Sequence, residues 1–200
     1  MFGSYGMELN GTITRQKDWA FADESKTSAE IVLDFYRLIR EACGDMLIIG
    51  CNTVSHLCAG LVELNRIGDD TSGESWNRTR AMGVNALAFR LPQNKAFYLA
   101  DADCVGIIPG KIDWHLNRQW ARLLAYSGTP FFLSCANHVL SKEEMQEMRG
   151  FFQHAARQED TVEPLDWEYN NEPQHWRING KEEYFDFIQN EYPLLLENWI

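Results

Sequence analysis

The sequence predicts an α/β fold built on parallel strands, and three observations carry that expectation. Four short apolar runs are each of strand length, and three of the four are continuous rather than alternating, as in strands covered on both faces of a parallel sheet. Segments of helical period lie between and around them. The connections are short, so strand and helix alternate along the chain. The runs are Met46–Cys51, Leu61–Leu64, Ala96–Ala100 and Pro130–Cys135. The first helix opens at the capping box Thr27-x-x-Glu30, turns Ile31, Phe35, Leu38, Ile39 and Ala42 inward, and ends at Gly44. A second helix is expected from about Glu74 to Ala88. A third starts at Asp113, a good N-cap, and stops before Gly128. The fourth begins at a second capping box, Ser141-x-x-Glu144, with Met145, Met148, Phe152 and Ala155 inward. From about Thr161 the pattern gives way to Pro, Asn, Trp and acidic residues, which reads as a tail wrapping the surface.

A doubly wound sheet and part of a (β/α)8 barrel both accommodate these elements. Each run ends in a polar cluster: Gly50-Cys51-Asn52, Arg66-Ile67-Gly68-Asp69-Asp70, Asp101-Ala102-Asp103 and Ser134-Cys135-Ala136-Asn137. Polar residues at the C-terminal ends of successive strands are where (β/α)8 enzymes keep their active sites. The chain has no GxGxxG and no GxxxxGK[ST], the phosphate loops expected of a nucleotide-binding sheet. The expectation is therefore a partial (β/α)8 TIM barrel.

Charge narrows the partners. The net charge is −11 over 200 residues. Residues 1–140 are close to neutral, with 13 basic against 15 acidic side chains, whereas residues 141–200 carry 5 against 14. No basic face is available for nucleic acid or an anionic membrane surface. No apolar run reaches the roughly 18 residues of a membrane span, and the N-terminus lacks the basic and apolar regions of a signal peptide. Five cysteines without a CxxC read as free thiols in a reducing compartment, which slightly favours the cytoplasm.

Several residues are chemically suggestive. In Arg66-Ile67-Gly68-Asp69-Asp70 a guanidinium precedes a carboxylate by four positions in a loop leaving a buried strand, and Gly68 lets the backbone turn sharply. An ordinary acidic turn with Asp69 or Asp70 as N-cap is the alternative. Asp101-Ala102-Asp103 reads in three ways: a DxD metal site on a nucleotide-sugar, a strand end that binds sugar hydroxyls or orients catalytic loops, or plain structure. The five histidines form no HxH or HxxxH pair, so no metal site and no cofactor is expected.

In this combination the chain resembles the C-terminal half of the catalytic barrel of α-galactosidase-type glycoside hydrolases, the clan of families 27 and 36, with family 36 the nearer. Phe2-Gly3-Ser4-Tyr5-Gly6 is similar to the segment that follows the family's strand-four Lys-x-Asp nucleophile, with Tyr5 in the tryptophan place. Gly50-Cys51-Asn52 resembles the end of strand five, where the sugar is read around C2, and Arg66 to Asp70 matches the strand-six Arg-x-x-x-Asp signature. Phe97 to Asp103 looks like the strand-seven Asp-Pro-Asp segment with Ala102 for proline. Pro130 to Asn137 looks like strand eight, with Asn137 where the family often has aspartate. The resemblance implies strands five to eight with their helices, Asp70 as general acid/base, and Cys51, Asn52, Arg66, Asp101 and Asp103 around the sugar. It also implies that the nucleophile lies upstream of Met1. Lys111-Ile112-Asp113 spells Lys-x-Asp, but it follows the strand-seven segment and Asp113 reads as an N-cap.

The resulting expectation is a fragment of a retaining α-glycosidase, inactive alone. Residues 1–158 would form the barrel half, and residues 159–200 an acidic segment leading to a further domain. Its substrate would be a carbohydrate ending in α-linked galactose, N-acetylgalactosamine or a similar sugar. Its partner would be a missing N-terminal half, or a second copy joined through open sheet edges. Two alternatives stand beside it: a non-catalytic carbohydrate-binding or interaction protein, and a DxD glycosyltransferase.

Overall fold

The computed structural model describes residues 15–16, 19–51 and 53–188, with backbone alone at 15–16 and 19–20. The chain divides into two compact units, Met1–Arg66 with Gln93–Leu99, and Ile67–Pro92 with Ala100–Ile200.

The first unit holds a short antiparallel pair, β1 (Arg15–Gln16) and β2 (Trp19–Ala20), then helix α1 (Ser28–Cys43) and the parallel strands β3 (Ile49–Gly50) and β4 (Leu64–Arg66). Helix α1 starts where its capping box requires. Thr27 Oγ1 accepts the Glu30 N–H at 3.2 Å, and the Glu30 carboxylate accepts the Thr27 N–H at 2.7 Å. Gly44 ends it at φ +56°, a left-handed conformation that glycine adopts without a Cβ penalty. The helix is tied to the strands by Arg40, which donates to Leu61 O at 3.0 Å and pairs with Glu63 at 2.7 Å, while Glu63 accepts the Ile48 N–H. The buried face of α1 differs from the expected one. Val32 and Tyr36 are buried, whereas Phe35 is exposed and Leu38 is 61% exposed. Tyr36 wins an inward place because its hydroxyl accepts the Val54 N–H at 2.8 Å, so the stripe turns one residue round. Next to it Met46 and Leu47 are each 63% exposed, and Ile49 is exposed too. Leu99, the first residue of β5 (Leu99–Asp101), donates its N–H to Glu63 O.

In the second unit Ile67 donates its N–H to Asp101 O, and β6 (Cys104–Ile107) pairs in parallel with β7 (Phe132–Cys135), Cys104 opposite Phe132 and Ile107 opposite Cys135. Helix α2 runs over Trp76–Arg78, widens into a π-helical turn over Thr79–Val84 and returns to α geometry over Asn85–Arg90. Helix α3 (Trp114–Ala125) follows Asp113, whose side chain makes no capping bond. Helix α4 (Lys142–Ala155) keeps its expected capping box, Ser141 with Glu144. It buries Met148, Phe151 and Ala155 and leaves Met145 and Phe152 exposed. The fully buried Trp120 donates its indole N–H to Cys104 O at 3.1 Å. The expected surface tail is a three-stranded antiparallel sheet of β8 (Val162–Pro164), β9 (His175–Ile178) and β10 (Lys181–Tyr184). Asn179 and Gly180, at φ +50° and +79°, make the tight turn between β9 and β10, and Trp176 and Ile178 anchor the sheet in the core.

The protein is thus a mixed α/β chain with small sheets and parallel strand pairs, and its described residues form no closed barrel. No described helix is long and apolar enough to cross a membrane.

Gly68 illustrates how packing sets a residue. Its φ is not left-handed, so a sharp turn does not explain it. An added Cβ would collide with the Met82 carbonyl of α2 and lie 2.9 Å from Ala86 Cβ. Gly68→Ala is expected to cost about 1–3 kcal/mol by overpacking. An unchanged denaturation midpoint would show that the loop and helix separate freely.

Candidate functional site

The site is built on the loop that leaves Ile67. Asp69 and Asp70 stand exposed on it, and the backbone on both sides of Asp70 is held. Before it, the Asp69 carboxylate accepts the Asp70 N–H at 2.8 Å. From α2, Arg78 donates Nε to the Asp70 carbonyl and Nη2 to Asp69 Oδ2 at 2.9 Å. After it, the fully buried Thr71 donates its N–H to Asp103 Oδ2 at 2.6 Å, and its hydroxyl lies 2.9 Å from the same oxygen and 2.7 Å from Cys104 O.

Asp103 is itself fixed. It adopts φ +70° in the break between β5 and β6, and its N–H donates to Asp101 Oδ1 at 2.8 Å. Left-handed geometry comes more readily to Asp than to most side chains. The chain after Thr71 then passes against β6. Gly73, at φ +82°, faces Gly106, where a Cβ would lie 2.5 Å from the opposing backbone. Two glycines allow this loop to touch a strand. The result is two exposed carboxylates, Asp69 paired with Arg78 and Asp70 beside it, on a loop held by a guanidinium on one side and a buried carboxylate on the other.

Asp103→Ala would leave the buried Thr71 N–H without its acceptor. A hydrogen bond to a charged group contributes about 1.5–3 kcal/mol, so amide exchange at Thr71 is expected to rise roughly ten- to hundredfold. Exchange unchanged in the variant would show that Asp103 does not hold the loop.

The structure therefore brings Asp70, Asp101 and Asp103 into one network within the second unit. Arg66, at the end of β4, and the exposed free thiol of Cys51 belong to the first unit, and Asn52 lies outside the described residues. Sequence reasoning missed Arg78 and Thr71. The signal for Arg78 was its place one turn into the helix after the acidic loop; Thr71 had none, because its partner is 32 residues away. In the first unit it also missed Asn65, which is fully buried and accepts from Thr53 Oγ1 at 2.6 Å and from the Cys58 thiol at 3.5 Å. Burial pushes the Cys58 thiol up, so it is a structural, unreactive group. Among the described residues no three His, Cys, Asp or Glu side chains are grouped to hold a metal ion.

No family model and no curated protein sequence matches the chain. Among solved structures it is similar to an alpha-galactosidase from Thermus thermophilus in complex with p-nitrophenyl alpha-D-galactopyranoside, with a TM-score of 0.52 and 17% identity. The match covers 78% of this chain and 33% of that one, so it spans about a third of the length of that enzyme. At this identity the likeness is one of fold alone.

Proposed function

We propose that the chain is the strand-five-to-eight portion of a (β/α)8 barrel and supplies the general acid/base of a retaining α-glycosidase, most simply of α-galactosidase type. One observation carries the reading: Asp70 is exposed on a loop that leaves a parallel strand, with its backbone held on both sides. A retaining glycosidase needs two carboxyl groups about 5–5.5 Å apart. Asp70 would protonate the glycosidic oxygen as the leaving group departs, then take a proton from the water that releases the sugar. The attacking carboxylate would come from a segment carrying a Lys-x-Asp strand end.

In this reading Asp101 and Asp103 serve the loop first, since their oxygens accept from Asp103 N–H and Thr71. That use favours loop positioning over a DxD metal site. Cys51, Asn52 and Arg66 remain our candidates for contacts to the sugar. The near-neutral first 140 residues suit an uncharged ligand.

The partner would be a polypeptide that completes the barrel. Met46, Leu47 and Ile49 put exposed apolar surface beside β3, an edge strand among the described residues, and such edges recruit strands. The purified 200-residue chain is expected to leave p-nitrophenyl α-galactoside unhydrolysed. Turnover by that chain alone would overturn the half-site reading.

A further inference from the structure

The second unit carries a groove built from other residues than the Asp70 loop. Phe89, Leu91, Pro92, Val162, Pro164 and Trp167 line a space of about 490 Å³. That is the size of a small-molecule site, which typically spans about 300–1,000 Å³. Trp167 is 49% exposed and meets Phe89 edge-on, with ring centroids 6.2 Å apart at 85°.

The turn that presents this indole is firmly held. The buried Asp166 accepts from Asn170 Nδ2 at 2.9 Å, from the Gln174 N–H at 3.1 Å and from the His175 N–H at 3.2 Å. Leu165 donates its N–H to His175 O at 2.8 Å. A rigid turn offering a half-exposed indole loses little entropy when a ligand settles on it. Tyr169, on the same turn, is exposed as well. Glu163 is the groove's charged side chain, and Arg177 neutralises it at 2.6 Å. The occupant that complements this lining is therefore uncharged, with an apolar face for the indole and hydroxyls for the Glu163 carboxylate.

We propose that this groove is a second sugar-binding site, in which Trp167 stacks on the apolar face of a neutral hexopyranose. The choice of a sugar rests on the glycosidase reading; the groove and its neutrality do not. The site would hold a distal ring of a polymeric substrate while another end is cut.

The test uses the full 200-residue chain and the Trp167 indole N–H signal in a nitrogen–proton correlation spectrum, titrated with methyl α-D-galactopyranoside. A saturating shift in the roughly millimolar range is expected for one ring. In Trp167→Ala, which has no indole at 167, binding is followed by the backbone amides of Phe89 and Val162 that line the groove. It should weaken at least about tenfold there with the rest of the amide spectrum native, and persist in Asp70→Asn. Three results would overturn the site: no saturable shift, a response to the apolar dye ANS and not to the sugar, or binding seen only after residues 189–200 are deleted. Binding intact beside an Asp70→Asn variant that turns over normally in the assembly carrying the nucleophile would sink the catalytic reading and leave the groove. The reverse pair would do the opposite.

Discussion

Asp70→Asn is expected to lower turnover of an α-galactoside by about 10²–10⁴-fold in the assembly that also carries the nucleophile, the range for loss of a general acid/base. Asparagine keeps the volume and one acceptor oxygen, so Arg78 still holds the Asp70 carbonyl and Thr71 still holds Asp103. The loop should stay in place while the proton disappears. The loss should therefore grow with the basicity of the leaving group: an alkyl galactoside needs the proton, whereas p-nitrophenolate departs nearly unaided. Azide, which attacks without a general base, should restore turnover of the p-nitrophenyl substrate and yield a galactosyl azide of retained configuration. A variant at full speed on an alkyl galactoside would remove Asp70 from the reaction.

The second large effect concerns stability. Arg80, on the π-helical turn of α2, lies 3.2 Å from Glu172, and the two side chains are 0% and 2% exposed. Arg80 Nη2 also donates to Asn77 Oδ1, but neither carboxylate oxygen of Glu172 accepts a hydrogen bond. Burial without that support raises Glu172 from the ordinary 4.5 to about 7 against the pull of Arg80. Glu172→Leu leaves a guanidinium that cannot neutralise itself, at a cost of about 3–5 kcal/mol. For a domain of this size that is a fall in Tm of roughly 10 °C. Arg80→Met combined with Glu172→Leu should recover most of it, because a buried pair replaced by apolar side chains of similar volume is often neutral or better.

The pH dependence has a definite sign. With its folded value above its unfolded one, Glu172 holds more proton in the folded state between about 4.5 and 7. Its contribution to stability is complete below 4.5 and is lost as pH rises through 7. The wild-type Tm should fall across this window relative to the double variant. Parallel curves would show that Glu172 titrates normally.

Legibility in the sequence followed the range of the interactions. Both capping boxes were readable because Thr27 with Glu30, and Ser141 with Glu144, bond within one turn. Strand β6 was not, since Asp103 and Gly106 break its apolar run, and Gly106 is there to meet Gly73, 33 residues away. The β8–β10 sheet hid among acidic residues because its solvent face is charged, yet Asn179-Gly180 between the alternating Trp176 and Ile178 and the strand Lys181–Tyr184 is a hairpin signal. Asp70 stood out from its spacing to Arg66; the residues that position it, Arg78, Thr71 and Asp103, come from separate elements. The Arg80–Glu172 pair spans 92 residues and leaves no local trace. Helix α1 was right in extent and wrong in face, since a hydroxyl on Tyr36 outweighed the apolar pattern.

On the reading proposed above, this chain contributes the acid/base of a two-carboxylate site and a Lys-x-Asp strand end that these 200 residues do not carry in the strand-four place contributes the nucleophile. This division of roles is tested most directly by labelling a mixture of the chain and a polypeptide bearing the Lys-x-Asp strand with 2-deoxy-2-fluoro-α-D-galactosyl fluoride, then mapping the adduct by mass spectrometry. The fluorosugar slows release of the covalent intermediate, so the attacking group stays marked. An adduct on the Lys-x-Asp aspartate and an unlabelled 200-residue chain are expected. An adduct on any carboxylate of this chain, or no adduct in a mixture that forms a stable complex, would contradict that division.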